Sequence, residues 1–282
     1  MYRCVYAFAM AAAVAVVPGA HAEVYPVADE YTPIVGQEGK DVVWVPTPDA
    51  LVERMLEMAK VTSKDYVMDL GSGDGRIAIA AAKRGARAVG IEYNPDMVEL
   101  SKRNAKAAGV ADKVKFIKAD LFETDLSKAD VITMYLLPRI NLELRPKLLA
   151  LKPGTRIVSH AFDLADWKAD KEVKVEGRDA YLWIVPADIE GNWRVEYPDI
   201  PKRAPTELRL TQNYQLFWGH AVRGDQSVEL GKPWLSGTKV RFAVRDAEGD
   251  RKYLGEVKGD RMEGTMSVDG GPATRWVATR LR

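Results

Sequence analysis

An α/β domain followed by an all-β domain is what this sequence predicts, and three observations carry the prediction. From Thr47 to about Val185, short apolar runs alternate with stretches of helical periodicity, as strands and helices do in turn. The first strand-to-helix step passes through a glycine-rich turn, Asp69-Leu70-Gly71-Ser72-Gly73-Asp74-Gly75-Arg76. From about Asp188 the helical period disappears, and alternating apolar and polar residues are broken by turn residues at short intervals.

The first 22 residues stand apart from the fold. Arg3 supplies a short positive start, Cys4 to Val17 is an unbroken apolar-rich run, and Pro18-Gly19 ends it before Ala20-His21-Ala22. Small residues at that spacing mark a cleavage site, so this is the pattern of a secretory signal peptide, too short for a comfortable membrane span. An uncleaved anchor is the competing reading; a lipoprotein anchor is disfavoured because Cys4 opens the apolar run. The expectation is an exported protein of the bacterial periplasm, with no stable membrane anchor after cleavage. Its mature chain carries no cysteine, which suits an oxidising compartment.

Residues 23–46 are polar and proline- and glycine-punctuated, and read as an ordered arm. Thr47 is a candidate N-cap with Pro48 at the first helical position, and Leu51, Val52, Met55, Leu56 and Ala59 repeat on one face. Tyr66-Val67-Met68 begins a strand, Ile77 to Lys83 a helix, and Ala88 to Ile91 a second strand ending on Glu92. Asn94-Pro95 opens a helix that ends near Gly109; Val114 to Lys118 and Val131 to Tyr135 follow as strands. A helix from about Ile140 to Leu151 stops at Pro153-Gly154, and Thr155 to Ser159 makes the fifth strand. Lys171 to Val175 and Tyr181 to Val185 read as a hairpin turning over Glu176-Gly177-Arg178-Asp179. The domain expected over residues 23–187 therefore has seven strands.

Residues 188–282 form the expected all-β domain. Val240, Phe242 and Val244 alternate with arginines, and Glu248-Gly249-Asp250, Lys258-Gly259-Asp260 and Asp269-Gly270-Gly271 mark turns. The spacing predicts roughly six to eight strands in an antiparallel meander, open or closed into a small barrel. Gly191-Asn192-Trp193 is similar to the G-x-W of lipocalin-like barrels, where the tryptophan closes the barrel end; a structural or substrate-recruiting addition is the commoner reading of such a domain.

The glycine turn and the carboxylates around it carry the chemistry. A helix N-terminus beyond a glycine turn ordinarily welcomes a phosphate. Here Asp69 and Asp74 oppose one, and G-x-G-x-G replaces the dinucleotide spacing G-x-G-x-x-G. Two carboxylates suit a ligand bearing an ammonium and a sulfonium, S-adenosylmethionine (SAM). Glu92, ending the second strand, is placed to accept hydrogen bonds from ribose hydroxyls. A third acid, Asp120, follows the strand-like run Phe116-Ile117-Lys118-Ala119. A tight turn without a ligand is the competing reading of the glycines alone.

At these residues the sequence resembles the class I, seven-strand SAM-dependent methyltransferases. The resemblance implies a Rossmann-like sheet with helices on both faces, its last strand antiparallel. It implies Asp69, Gly71, Ser72 and Gly73 at the methionine end of SAM, Glu92 at the ribose and Asp120 at the adenine, with Tyr93 and Leu121 also in the cofactor site. An N-terminal segment commonly packs beside that pocket, so the Pro46-Thr47-Pro48 turn is placed to close it, a plain helix start being the other reading. Over residues 41–185 the runs Val45-Pro46-Thr47-Pro48, Asp69 to Ile77, Leu136-Leu137-Pro138 and Arg156 to Ser159, followed by Phe162 and Trp167, resemble more closely a small lysine methyltransferase family. That family includes the mitochondrial ATP-synthase c-subunit enzyme, and it implies a protein lysine as methyl acceptor. The β-rich tail departs from it. An exported enzyme would also need SAM outside the cytosol, a tension the sequence leaves standing.

On the acceptor side, Thr133-Met134-Tyr135-Leu136-Leu137-Pro138 lacks the Asn/Asp-Pro-Pro-aromatic motif of enzymes acting on amide or base nitrogens. An apolar segment with a tyrosine suits an amine, so Tyr135 is the candidate catalytic residue; ordinary strand-end packing is its other reading. His160 is a weaker candidate for a general base, a structural histidine being commoner. His220 has no partner acid at ligand spacing, and three histidines with one leader cysteine make no metal site. Lys plus Arg number 41 against 40 for Asp plus Glu, so no global basic field points to nucleic acid. Two rival functions are an exported non-catalytic binding protein whose β domain holds a hydrophobic ligand or an envelope partner, and a dinucleotide-dependent oxidoreductase.

Overall fold

The computed structural model describes residues 31–40 and 42–282; the signal-peptide reading of residues 1–22 lies outside them. The helix α1 (Asp49–Met58) leads into β1 (Tyr66–Leu70), α2 (Arg76–Lys83), β2 (Arg87–Glu92), α3 (Pro95–Ala107), β3 (Val114–Lys118) and β4 (Val131–Met134). Then come α4 (Pro138–Leu149), β5 (Arg156–His160), β6 (Lys171–Val175) and β7 (Arg178–Ile184). These seven strands form one sheet in the order β3-β2-β1-β4-β5-β7-β6. The first five run parallel, and β7 pairs antiparallel with β5.

Alternation along the strands decides which residues meet which helices. Val67, Ala88 and Val131 join Leu51, Leu56, Ile77, Ala81 and Val98 in one core, so α1, α2 and α3 cover that face. Met68, Leu70, Val89 and Ile132 point the other way and pack with Ile140, Leu144 and Leu148 of α4. The strand order reverses between β1 and β4, and at such a switch the carboxyl ends of neighbouring strands open into a crevice.

Three local expectations need correction. Thr47 caps nothing: Pro48 occupies the N-cap position without a side-chain bond, and α1 begins at Asp49. The helix α4 begins at Pro138 rather than Ile140, because a proline is tolerated in the first turn, where its missing N–H costs nothing. The β6–β7 turn has two residues, not four. Glu176 and Gly177 both take positive φ, 50° and 79°, as a twisted two-residue hairpin requires, and Arg178 already pairs with Val175.

Residues 191–280 form a second sheet of nine strands, more than the six to eight expected. They are β8 (Gly191–Glu196), β9 (Thr206–Asn213), β10 (Leu216–Arg223), β11 (Gln226–Glu229), β12 (Gly231–Ser236), β13 (Lys239–Asp246), β14 (Gly249–Lys258), β15 (Arg261–Val268) and β16 (Thr274–Arg280). Every pairing is antiparallel, in the order β11-β10-β9-β8-β16-β15-β14-β13-β12. The two edge strands are successive in the chain, so the sheet curls into a nearly closed barrel. Inward residues fill it: Trp193, Phe217, Phe242, Tyr253, Met262 and Trp276 share one core. Phe242 stacks on Tyr253 at 4.6 Å, and Trp276 meets both edge-on. Trp193 is fully buried, donates from Nε1 to the Ile189 carbonyl, and lies under the Arg280 guanidinium at 4.5 Å. Trp167 links the sheets, stacking on Tyr214 at 5.7 Å and donating to Gln215.

Candidate functional site

A cleft opens at the carboxyl ends of β1, β2 and β4, and the eight cofactor candidates and the acceptor candidate Tyr135 all line it. They are Asp69, Gly71, Ser72, Gly73, Glu92, Tyr93, Asp120, Leu121 and Tyr135. The glycine turn is shaped by backbone demands. Gly71, Gly73 and Gly75 all take positive φ, 71°, 54° and 84°, which side-chain-bearing residues rarely adopt. A Cβ on Gly73 would also sit 2.7 Å from the Trp44 indole nitrogen, and one on Gly75 would sit 2.6 Å from the Phe116 ring. These two glycines thus admit neighbouring side chains as well as a ligand.

Asp69 is the chemical centre. It faces Thr133 in the β1–β4 register, and Thr133 donates to its Oδ1 at 2.7 Å. Its Oδ2 is buried and has no partner among the described residues. Burial raises the carboxyl from its ordinary value to about 7, with the negative charges of Asp74 and Glu92 adding to the effect and Thr133 opposing it. A buried acceptor with a spare oxygen on a ligand cleft is what an incoming ammonium would satisfy.

Asp74 behaves otherwise than the sequence implies. Arg76 binds its carboxylate through Nε and Nη2, so it is paired and does not stand free against a phosphate. Arg76 also donates to the Thr47 carbonyl at 3.0 Å, tying the glycine turn to the arm. Glu92 accepts from the Gly73 N–H and the Asn94 N–H, both at 2.9 Å, and so fixes the turn it borders. Asp120 lies two residues beyond the end of β3. It accepts from the Phe122 N–H, and the Lys40 ammonium at 2.5 Å holds it below the usual carboxylate range.

The arm reaches the cleft at Pro46 and Thr47, as the resemblance implies, and also through residues that the sequence does not flag. Gly36 and Gln37 pair with Trp44 through backbone bonds of 2.8 and 2.9 Å, a small antiparallel loop. Lys40, Trp44, Pro46 and Thr47 from this arm line the cleft, with Lys40 4.6 Å above the Tyr93 ring. The apolar run Val42-Val43-Trp44-Val45 inside a polar arm is the available signal.

Beyond β4, Tyr135 and Phe162 form an aromatic wall with ring centroids 6.4 Å apart. Phe162 is held there from behind: its carbonyl accepts from Ser159 Oγ at 2.6 Å and Asn141 Nδ2 at 3.2 Å, just after Ala161 in the left-handed region. His160 packs on Tyr135 at 3.8 Å and meets Thr47 Oγ1 at 3.0 Å, but it does not line the cleft. It is 2% exposed, and burial lowers its pKa to about 4, so it is neutral at physiological pH and only a weak base; buried behind the cleft, it supports Tyr135. His220 sits on β10 of the second sheet.

The model of the ANTKMT methyltransferase domain matches residues 69–171. A protein-lysine N-methyltransferase of Saccharolobus islandicus is 44% identical over 151 residues, 51% of this chain and 94% of its own. The lysine N-methyltransferase of the ATP-synthase c-subunit from Mus musculus is 36% identical over 158 residues, 55% of this chain and 62% of its own. Among solved structures, an RNA methyltransferase of Salinibacter ruber bound to S-adenosyl-L-homocysteine is 54% identical. It aligns at a TM-score of 0.50 over 51% of this chain and 96% of its own.

Proposed function

The chain belongs to the SAM-dependent protein-lysine methyltransferase family, and we propose from that premise that it methylates lysine side chains of a protein acceptor. The observation that carries the reading is the juxtaposition of Asp69 Oδ2, buried and unpartnered, with an aromatic wall on one cleft. Asp69 and the turn Gly71-Ser72-Gly73 would hold the methionine end of SAM. Glu92 with Tyr93 would hold the ribose, and Asp120 with Leu121 the adenine. SAM supplies an activated methyl group that a nucleophile displaces in line. The residues of this chain therefore need only align donor and acceptor and exclude water.

Tyr135, Phe162 and Pro46 offer the acceptor an apolar slot. Desolvation there lowers the pKa of an entering lysine and favours the free amine that attacks, while the ring faces attract the ammonium form during entry. The hydrophobic-ligand form of the non-catalytic reading needs an open barrel interior, and Trp193, Phe242 and Trp276 occupy that interior.

Incubating the full chain with methyl-labelled SAM and a mixture of proteins and RNA tests the reading. Label recovered as methyl-lysine after acid hydrolysis is the expected result; label confined to RNA would overturn the lysine assignment. We also propose that the leader read from residues 1–22 directs export. The periplasmic protein should then begin at Glu23 by terminal sequencing, and a cytoplasmic protein retaining Met1 would refute it.

A further inference from the structure

A second groove lies on the outer surface of the barrel, across β12, β13 and β14. The β12–β13 register slips between Gly231 and Trp234, where Lys232 takes φ 50°, and β12 bulges away from its neighbour. Gly231 and Ala243 leave the floor low because neither carries a large side chain. Along one side runs a cross-strand row, Trp234 opposite Arg241 opposite Leu254, of which Arg241 and Leu254 line the groove and Trp234 flanks it. Trp234 is 41% and Leu254 57% exposed, and the Arg241 guanidinium lies 4.8 Å over the indole.

The charges are lopsided. Arg245 is paired with Asp250 at 3.1 Å, but Lys232 and Lys252 form no ion pair among the described residues, and Arg241 has only the ring beneath it. Three cations without carboxylate partners therefore flank an exposed apolar strip. Nothing in methyl transfer uses them.

We propose that this groove docks an extended acidic segment of the methyl-acceptor protein, with an apolar side chain seated over Ala243 beside Leu254. The proposal rests on the lysine methyltransferase reading for the identity of the partner, not for the chemistry of the groove. A nucleic acid fits less well. Leu254 and Ala243 offer aliphatic surface rather than faces for stacking, and the exposed Trp234 ring beside the groove is already covered by the Arg241 guanidinium. Recruitment at a site apart from the cleft raises the local concentration of the acceptor lysine.

Fluorescence anisotropy of a labelled Asp/Glu-rich peptide with a central leucine, titrated with the full chain, tests this directly. Saturable binding that weakens with added salt is expected, with no binding of the lysine-substituted peptide. The double variant Lys232→Glu, Lys252→Glu should weaken binding by about ten-fold or more, and Trp234→Ala, which keeps the charges, by a smaller factor. All three side chains are exposed, and S-adenosylhomocysteine titration of each variant checks that the fold is intact. Absence of saturable binding, equal affinity of the charge-reversed variant, or preference for an oligouridylate would overturn the proposal. The assay reads no methyl transfer, so its failure leaves the lysine methyltransferase reading untouched, and the failure of that reading leaves the groove testable.

Discussion

Replacing Asp69 by Asn is expected to stabilise the ligand-free protein at pH 8 and to abolish most of its affinity for S-adenosylhomocysteine. The two effects share one cause. The Asp69 carboxyl is buried, with one oxygen unpartnered, and its pKa stands at about 7 against an ordinary 3.8. Below the lower value the folded and unfolded chains both carry the proton, and no penalty arises. Between the two values only the folded chain keeps it, so stability falls as pH rises, and above about pH 7 the full cost of the buried charge is present. That cost is on the order of 4 kcal/mol. Asparagine fills the same space without a charge, so the variant should unfold several degrees higher than wild type at pH 8 and hardly differ near pH 4.

Binding runs the other way. An ammonium placed on Asp69 needs the ionised form, so wild-type affinity should fall about ten-fold from pH 8 to pH 6, with proton release on binding at the lower pH. The variant should bind about a hundred-fold more weakly at pH 8 and show no such pH dependence. Calorimetric titration in buffers of different ionisation enthalpy measures affinity and proton release together. A variant less stable than wild type at pH 8, or one that binds equally well, would remove Asp69 from the role.

How much of this is legible in the chain depends on the range of each interaction. Asp69, the glycines and Glu92 lie within one strand-turn-helix-strand unit, so spacing alone brings them together. Lys40 meets Asp120 from 80 residues away, out of an arm with no periodicity, and no local pattern announces such a contact. Asp74 misleads because the arginine that neutralises it lies two residues on and reads only as a filled motif slot. In the hairpin, the charged pair Arg178-Asp179 looks like a turn, yet it sits at the exposed start of β7, where charge is tolerated. The strand count of the barrel comes out low for a related reason: β11 has only four residues and no buried one, so its alternation carries almost no signal. Thr47 has the composition of a cap, but a hydroxyl within reach of the buried His160 bonds the ring instead.

Tyr135→Ala should lower the turnover of methyl transfer by about a hundred-fold while leaving S-adenosylhomocysteine affinity within about two-fold of wild type. Tyr135 lines the cleft beyond β4, and the resemblance assigns the cofactor's contacts to the ends of β1, β2 and the loop after β3. Its loss therefore falls on the acceptor. The ring does two things at once: it excludes water from the entering amine, and with Phe162 it restricts the directions from which that amine approaches. Phe162→Ala should lower turnover in the same sense, because the wall is shared. Tyr135→Phe separates the ring from the hydroxyl. His160 meets Tyr135 ring on ring, its Nδ1 is engaged by Thr47, and a pKa lowered to about 4 makes it a weak base, so the ring should account for most of the effect, and the phenylalanine variant should keep most of the activity. Single-turnover rates with saturating acceptor read this without interference from binding. Equal loss in Tyr135→Phe and Tyr135→Ala would move the function to the hydroxyl, and a loss of S-adenosylhomocysteine affinity matching the loss of turnover would move Tyr135 to the cofactor side.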